Sequence, residues 1–166
     1  MKKALLVIDI QEITVGKEHA EMFRYGDSLL SDINRVIGEN RDNLVVYIRN
    51  VMKKNLINKF VPFHAYEGSR EAELAEGLDI VSDKILDKYT GDAFSNNRLD
   101  ELLKADGVDR VEIIGVDGGG CVALTALGAL KNGYSVTVNT TAVGTVFEKK
   151  RDAYFKKLRE QGAEFV

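Results

Sequence analysis

The chain has no tryptophan, one proline (Pro62), one cysteine (Cys121) and only two histidines, His19 and His64. A lone cysteine excludes an intramolecular disulfide and fits a reducing compartment. Two histidines set far apart offer no metal-ligand spacing. No apolar stretch is long enough to span a bilayer. Charge of one sign is also scarce: the net charge is −3 with both signs mixed along the chain, and no basic stripe marks a nucleic-acid surface. The start, Met1 to Ile8, opens like a signal peptide, but Asp9 and Glu12 break the apolar run and no small-residue cleavage site follows. These absences predict a cytoplasmic globular protein without nucleic-acid or membrane partners. At 166 residues the expectation is one domain, residues 1–166, with a core that needs no staples.

What is present is an alternation of short apolar runs with segments of helical period. Ala4–Ile8, Leu44–Ile48, Lys84–Leu86, Val111–Ile114, Ser135–Val138 and Ala163–Val166 read as strands, the first apolar throughout as in a strand buried on both faces. Helical spacing marks Ser28–Ile37, Asn97–Lys104, Val122–Leu130 and Glu148–Glu160, and Asn132-Gly133 is a C-terminal stop signal for the third. Such alternation predicts an α/β fold: three layers, α/β/α, around a doubly wound, mostly parallel, Rossmann-like sheet. Ligands of such sheets sit at the carboxyl ends of the strands. Residues 50–82, with Pro62, His64 and the acidic run Glu67–Glu76, are the least regular part and suggest a lid or a subunit contact.

Cys121 follows a strand and a glycine-rich turn, Gly115-Val116-Asp117-Gly118-Gly119-Gly120, and opens a helical pattern. A helix N-terminus presents unpaired N–H groups and partial positive charge. Both favour a thiolate, and the same N–H groups suit an oxyanion. The competing reading is a small buried apolar residue. The glycine spacing lacks the dinucleotide fingerprint and no P-loop lysine follows, so no nucleotide cofactor is expected. Asp9 directly follows the first strand and Lys88 follows the third. Separately, an aspartate at a strand end and a solvated lysine are commonplace. Together with Cys121 they place a carboxylate, a cation and a thiol on one sheet edge, the parts a thiol nucleophile needs.

These residues give the chain a resemblance to the isochorismatase-like cysteine hydrolases, a superfamily that includes nicotinamidases, carbamoylsarcosine amidases and isochorismatases. The segments that carry it are Ala4–Gln11, then Lys88 with Phe94 and Leu99, then Gly115–Cys121 with Val122, Thr125, Ala126, Ala129 and Gly133-Tyr134. The resemblance implies a catalytic triad of Asp9, Lys88 and Cys121. Cys121 would form a thioester with an amide or ureide carbonyl, Asp9 would shuttle the proton, and Lys88 would lower the Cys121 pKa and orient Asp9. It also implies an oxyanion hole from the backbone N–H groups of Asp117 and Cys121, and a cis bond at Asp117–Gly118. Phe94 and Gln11 would border the substrate, Gln11 by holding the Asp9 loop. A homo-oligomer acting on a small-molecule amide is the implied assembly and partner.

Two departures qualify the resemblance. Gly118-Gly119 stands where the family usually has Thr-Asp, which implies a more flexible turn. Arg49-Asn50-Val51-Met52-Lys53-Lys54 stands where metal-dependent nicotinamidases carry an Asp-x-His pair, so neither metal nor other cofactor is expected. His64 reads as a surface or interface histidine rather than a site residue. Two rivals remain. An isochorismatase-type vinyl ether hydrolase would use acid catalysis, although family members of that kind often lack the cysteine. A non-catalytic binding or redox-sensing protein would use the turn to hold an anion and Cys121 as an oxidation site.

Overall fold

The structure is a computed structural model that describes residues 2–17, 19–54 and 63–166. Pro62 lies outside the described residues. Six strands form one parallel sheet: β1 (Lys3–Ile8), β2 (Leu44–Asn50), β3 (Ile85–Lys88), β4 (Arg110–Val116), β5 (Ser135–Gly144) and β6 (Glu164–Phe165). Their spatial order is β3-β2-β1-β4-β5-β6. Between them run α1 (Glu12–Val15), α2 (Leu29–Glu39), α3 (Asn97–Ala105), α4 (Cys121–Lys131) and α5 (Glu148–Glu160). Among the described residues, no helix is long and apolar enough to cross a membrane.

Side chains alternate across each strand, so the sheet feeds two cores. On one face Leu6, Ile8, Val46 and Ile113 pack with Leu99 and Leu103 of α3, Val122 and Ala126 of α4, and Phe155 and Leu158 of α5. On the other, Leu5, Val7, Val45, Tyr47 and Ile114 pack with Ile33, Val36 and Ile37 of α2. This is the expected three-layer α/β/α arrangement, and double coverage explains why β1 is apolar throughout.

The strand order reverses direction between β1 and β4, each paired in parallel with the other. A crevice at such a switch point opens beyond the carboxyl ends of the two strands. The segments that leave those ends, from Asp9 and from Asp117, are therefore neighbours. Two strands differ from the sequence expectation. β3 runs on to Lys88, which ends the strand instead of following it. β5 is ten residues long, because its register against β4 shifts: Ile113 faces Val138, while Gly115 faces Val143. The extra residues of this irregularity carry polar Asn139, Thr140 and Thr141, which hid the continuation of the strand.

Gly115 lies opposite Ile8 in the β1–β4 register, with φ +118. A Cβ there would come within 2.1 Å of the Ile8 carbonyl oxygen. Gly107 also has positive φ, +69, but faces open space. Gly107→Ala should cost about 1–2 kcal/mol through backbone conformation alone. Gly115→Ala should cost more than that in urea unfolding, because the two strands must also move apart. Equal costs for the two would mean that the close approach at Ile8 is unimportant.

Candidate active site

Asp9 adopts φ 54 as the chain leaves β1, a left-handed conformation that aspartate tolerates better than most residues. The turn is pinned on both sides: Asp9 N–H donates to the Ile48 carbonyl at 2.9 Å, and the Thr14 hydroxyl donates to the Asp9 carbonyl at 2.7 Å. Lys88 pairs in register with Asn50 of β2 and is 1% exposed. Its Nζ donates to Asp9 Oδ2 at 2.9 Å, to the Thr90 carbonyl at 3.1 Å and to Cys121 Sγ at 3.2 Å. All three ammonium donors are thereby used. Asp9 Oδ1 is buried with no partner among the described residues.

Cys121 is the first residue of α4. The turn before it folds around Asp117. Gly120 and Val122 N–H donate to the Asp117 carbonyl at 2.9 and 3.1 Å, and Gly118 N–H donates to the Gly144 carbonyl at 2.9 Å. The Asp117 carboxylate accepts from Gly119 N–H at 2.7 Å, from Val146 N–H and from the Tyr25 hydroxyl at 3.3 Å. The glycines are where they are for space: a Cβ on Gly118 would meet Thr145 Oγ1 at 2.4 Å, and one on Gly119 would meet the Phe147 carbonyl at 2.3 Å. The turn is packed at Gly118 and Gly119, so at those two positions extra flexibility is not what glycine provides. The cis peptide is Val116–Asp117, one bond earlier than the resemblance implied. The Asp117–Gly118 bond is not among the cis bonds.

The groups around the thiol act on it in opposite directions. The Cys121 thiol is pushed up to about 12, by burial first and then by the Asp9 charge, with Lys88 acting in the opposite direction. Lys88 does favour the thiolate, but its charge is largely claimed by Asp9. For Lys88 itself, burial pulls the ammonium down, yet its neighbours, the Asp9 carboxylate foremost, hold it above the ordinary lysine value. The site thus sets a buried thiol beside the Lys88–Asp9 salt bridge. Tyr25 is likewise raised, by burial and then by Asp117.

A cavity of about 150 Å³ opens at this point, with walls that include Asp9, Gln11, Met22, Phe23, Tyr25, Met52, Phe63, Asp117, Cys121 and Phe147. Drug-sized ligands fill cavities of about 300 Å³ or more, so this one suits a smaller molecule. Phe23 stacks with Tyr25 at 6.2 Å and meets Phe63 edge-on at 5.1 Å. Those aromatics come from irregular segments, where no periodicity singles out a residue. Gln11 lies in the wall, but its amide is taken up by backbone: Oε1 accepts from Asn50 N–H at 2.8 Å, and Nε2 donates to the carbonyls of Asn50 at 3.1 Å and Ala72 at 2.7 Å. Phe94 does not reach the cavity. It packs in the core against Tyr134 at 5.6 Å, because the short 3-10 turn Ala93–Ser95 sets it on the α4 face of the sheet. His64 stacks on Tyr66 at 5.1 Å and is not part of the cavity wall.

A family model for the isochorismatase domain matches residues 3–166. The chain belongs to the isochorismatase family. No curated protein matches it. Among solved structures it is similar to N-carbamoylsarcosine amidase from Thermoplasma acidophilum, with 28% identity, TM-score 0.82, and 99% of this chain and 95% of that one covered. It is also similar in fold to a pyrazinamidase/nicotinamidase from Streptococcus mutans, with 23% identity, TM-score 0.87 and coverage of 99% and 100%. A third likeness of fold is to the pyrazinamidase of Pyrococcus horikoshii in complex with zinc, with 24% identity, TM-score 0.86 and coverage of 100% and 99%. This isochorismatase-family chain is a hydrolase. Among the described residues no three His, Cys, Asp or Glu side chains converge as a metal group would need. The end of β2 leads into Val51, Met52 and Lys53, and the Lys53 ammonium lies over the Tyr89 ring at 5.0 Å.

The thiol should titrate accordingly. In wild type, the pH midpoint of Cys121 alkylation by iodoacetamide should lie well above the ~8.5 of a free thiol. Asp9→Asn removes the carboxylate that disfavours the thiolate and leaves Lys88 to pair with sulfur, so the midpoint should fall. Lys88→Met removes the cation, so the midpoint should rise further. A wild-type midpoint below that of a free thiol would overturn this account of the site.

Proposed function

We propose that this hydrolase cleaves a C–N bond of a small amide or ureide, without a metal, through a thioester on Cys121. The observation that carries the reading is the buried trio itself. Lys88 Nζ joins Asp9 Oδ2 and Cys121 Sγ, while Asp9 Oδ1 is left without a hydrogen bond among the described residues. An unpaired, buried carboxylate oxygen beside a neutral thiol is a proton acceptor held ready. The amidase and nicotinamidase among the structural neighbours support amide chemistry. The donor set around the cavity supports a reaction carried by these three side chains alone.

In this mechanism the Cys121 proton passes to Asp9 as sulfur attacks the carbonyl carbon. The S–C bond forms and the carbonyl π electrons move to oxygen. The N–H groups of Asp117 and Cys121, to which no hydrogen-bond acceptor falls among the described residues, would receive that oxyanion. Collapse breaks the C–N bond, and Asp9 returns the proton to the departing ammonia or amine. Asp9 then takes a proton from water, whose oxygen attacks the thioester and frees the acid and the thiol. Lys88 stays protonated throughout and keeps Asp9 in place. A thiol pushed up to about 12 means that deprotonation accompanies attack instead of preceding it. The apolar side chains of Ile80, Ile85 and Tyr89, exposed on and beside the edge strand β3, agree with assembly into a homo-oligomer.

Cys121→Ala should abolish ammonia or amine release from any amide substrate while the far-ultraviolet circular dichroism stays as in wild type. Intact-protein mass spectrometry on rapidly quenched wild type should show an acyl adduct that the variant lacks. Hydrolysis that survives in Cys121→Ala would exclude the thioester and favour acid-catalysed ether cleavage by Asp9.

A further inference from the structure

We propose that the Asp117 side chain is a positioning residue for the oxyanion site, a role distinct from that of its own backbone N–H; the role in turnover rests on the thioester reading above. An inventory of the turn's N–H groups shows why. Gly118 donates to Gly144, Gly120 and Val122 donate to the Asp117 carbonyl, and Gly119 donates to Asp117 Oδ1 at 2.7 Å. The N–H groups of Asp117 and Cys121 are those that remain without an acceptor among the described residues. Buried N–H groups are nearly always paired, so a stretch in which the neighbours are all satisfied and two are spared is set up to receive an outside oxygen.

The carboxylate holds this pattern in place. Asp117 is 7% exposed, and its Oδ2 also accepts from Val146 N–H and from the Tyr25 hydroxyl. It thus ties the turn to the segment that enters α5 and to the aromatic wall of the cavity. Gly118, Gly119 and Gly120 have no side chains to do so, and the space around the first two admits none. Without the carboxylate, Gly119 and Val146 N–H would be left unpaired, and the turn would shift to satisfy them. A displacement of about 1 Å in a reacting geometry costs on the order of 100-fold in rate.

The test uses two reagents that differ in whether they place a tetrahedral-carbon oxygen against the turn. An aldehyde adds the Cys121 S–H across its C=O: the S–C bond forms, the π bond breaks and the proton goes to oxygen. The product presents that oxygen to the turn. Iodoacetamide alkylates the same sulfur, releases iodide and the thiol proton, and puts no such oxygen on the carbon bound to sulfur. In Asp117→Ala the aldehyde adduct should dissociate with a constant at least about tenfold higher, while the alkylation rate stays within about twofold. The kcat for amide hydrolysis should fall by about 100-fold with KM within about threefold. Asp117→Asn, whose carboxamide oxygen accepts from one of the two N–H groups, should fall between Asp117→Ala and wild type. Amide hydrogen exchange should quicken at Gly119 in Asp117→Ala and not in β1 or the interior of α4.

Equal losses with both reagents would indicate general disorder and overturn the proposal, as would no loss with either. Unchanged exchange at Gly119 would overturn it whatever the enzyme hydrolyses. Asp117-dependent aldehyde binding without any amide hydrolysis would instead remove the amidase reading and leave the positioning role standing. A wild type that forms no aldehyde adduct would count against the thioester, and the exchange at Gly119 would then decide the role of Asp117.

Discussion

Around the Lys88 ammonium the whole site is organised. It sits at the end of β3, essentially inaccessible to solvent, and its three donors reach Asp9, Thr90 and Cys121. Burying such a pair is poor for stability, since desolvation offsets most of the attraction. Removing one partner is worse, at about 3–5 kcal/mol, because the survivor is left charged and unpaired. An arrangement that stability does not favour, placed where a cavity opens, is more readily understood as chemistry than as architecture. Burial and then the Asp9 charge push the thiol up, and the Lys88 cation only partly offsets them.

The fold was legible because its physics is simple. Strands buried on both faces must be apolar runs, and helices that cover them must show one apolar stripe. Ala4–Ile8 and Ser28–Ile37 follow these rules, so their neighbours in space could be anticipated. What the sequence concealed was irregular. The β4–β5 register shift interrupts the apolar pattern with Asn139, Thr140 and Thr141. The cavity aromatics Phe23, Tyr25 and Phe63 occupy segments without period, whereas Phe94, the aromatic that motif spacing singled out, went to the core.

Within the site, Asp9, Lys88 and Cys121 were legible as residue types at strand ends, and the structure brings them together. The pKa of Cys121 was not, because it depends on how three charges divide in a dry pocket and on how deep the pocket is. The glycine run misled in another way. Glycine allows flexibility and close approach alike, and only the positions of Thr145 and Phe147 decide between them. The role of the Asp117 carboxylate was not legible because two of its three partners are backbone groups, which leave no trace in side-chain identities.

The strand order has a consequence for how the protein is made. β1 lies in the middle of the sheet, yet both its partners come later in the chain, and β4 comes only after β2 and β3. Contacts of such long sequence separation form slowly. On the ribosome, the stretch from Ala4 to Ile8 emerges before either partner and, even after β2 pairs with it, keeps one edge open until β4 follows. Nascent chains of this topology are exposed to aggregation for that interval. The Lys88 link to Asp9, across 79 residues, cannot close until β3 has joined β2 and β2 has joined β1, so an intact Asp9–Lys88 pair reports that this half of the sheet has formed.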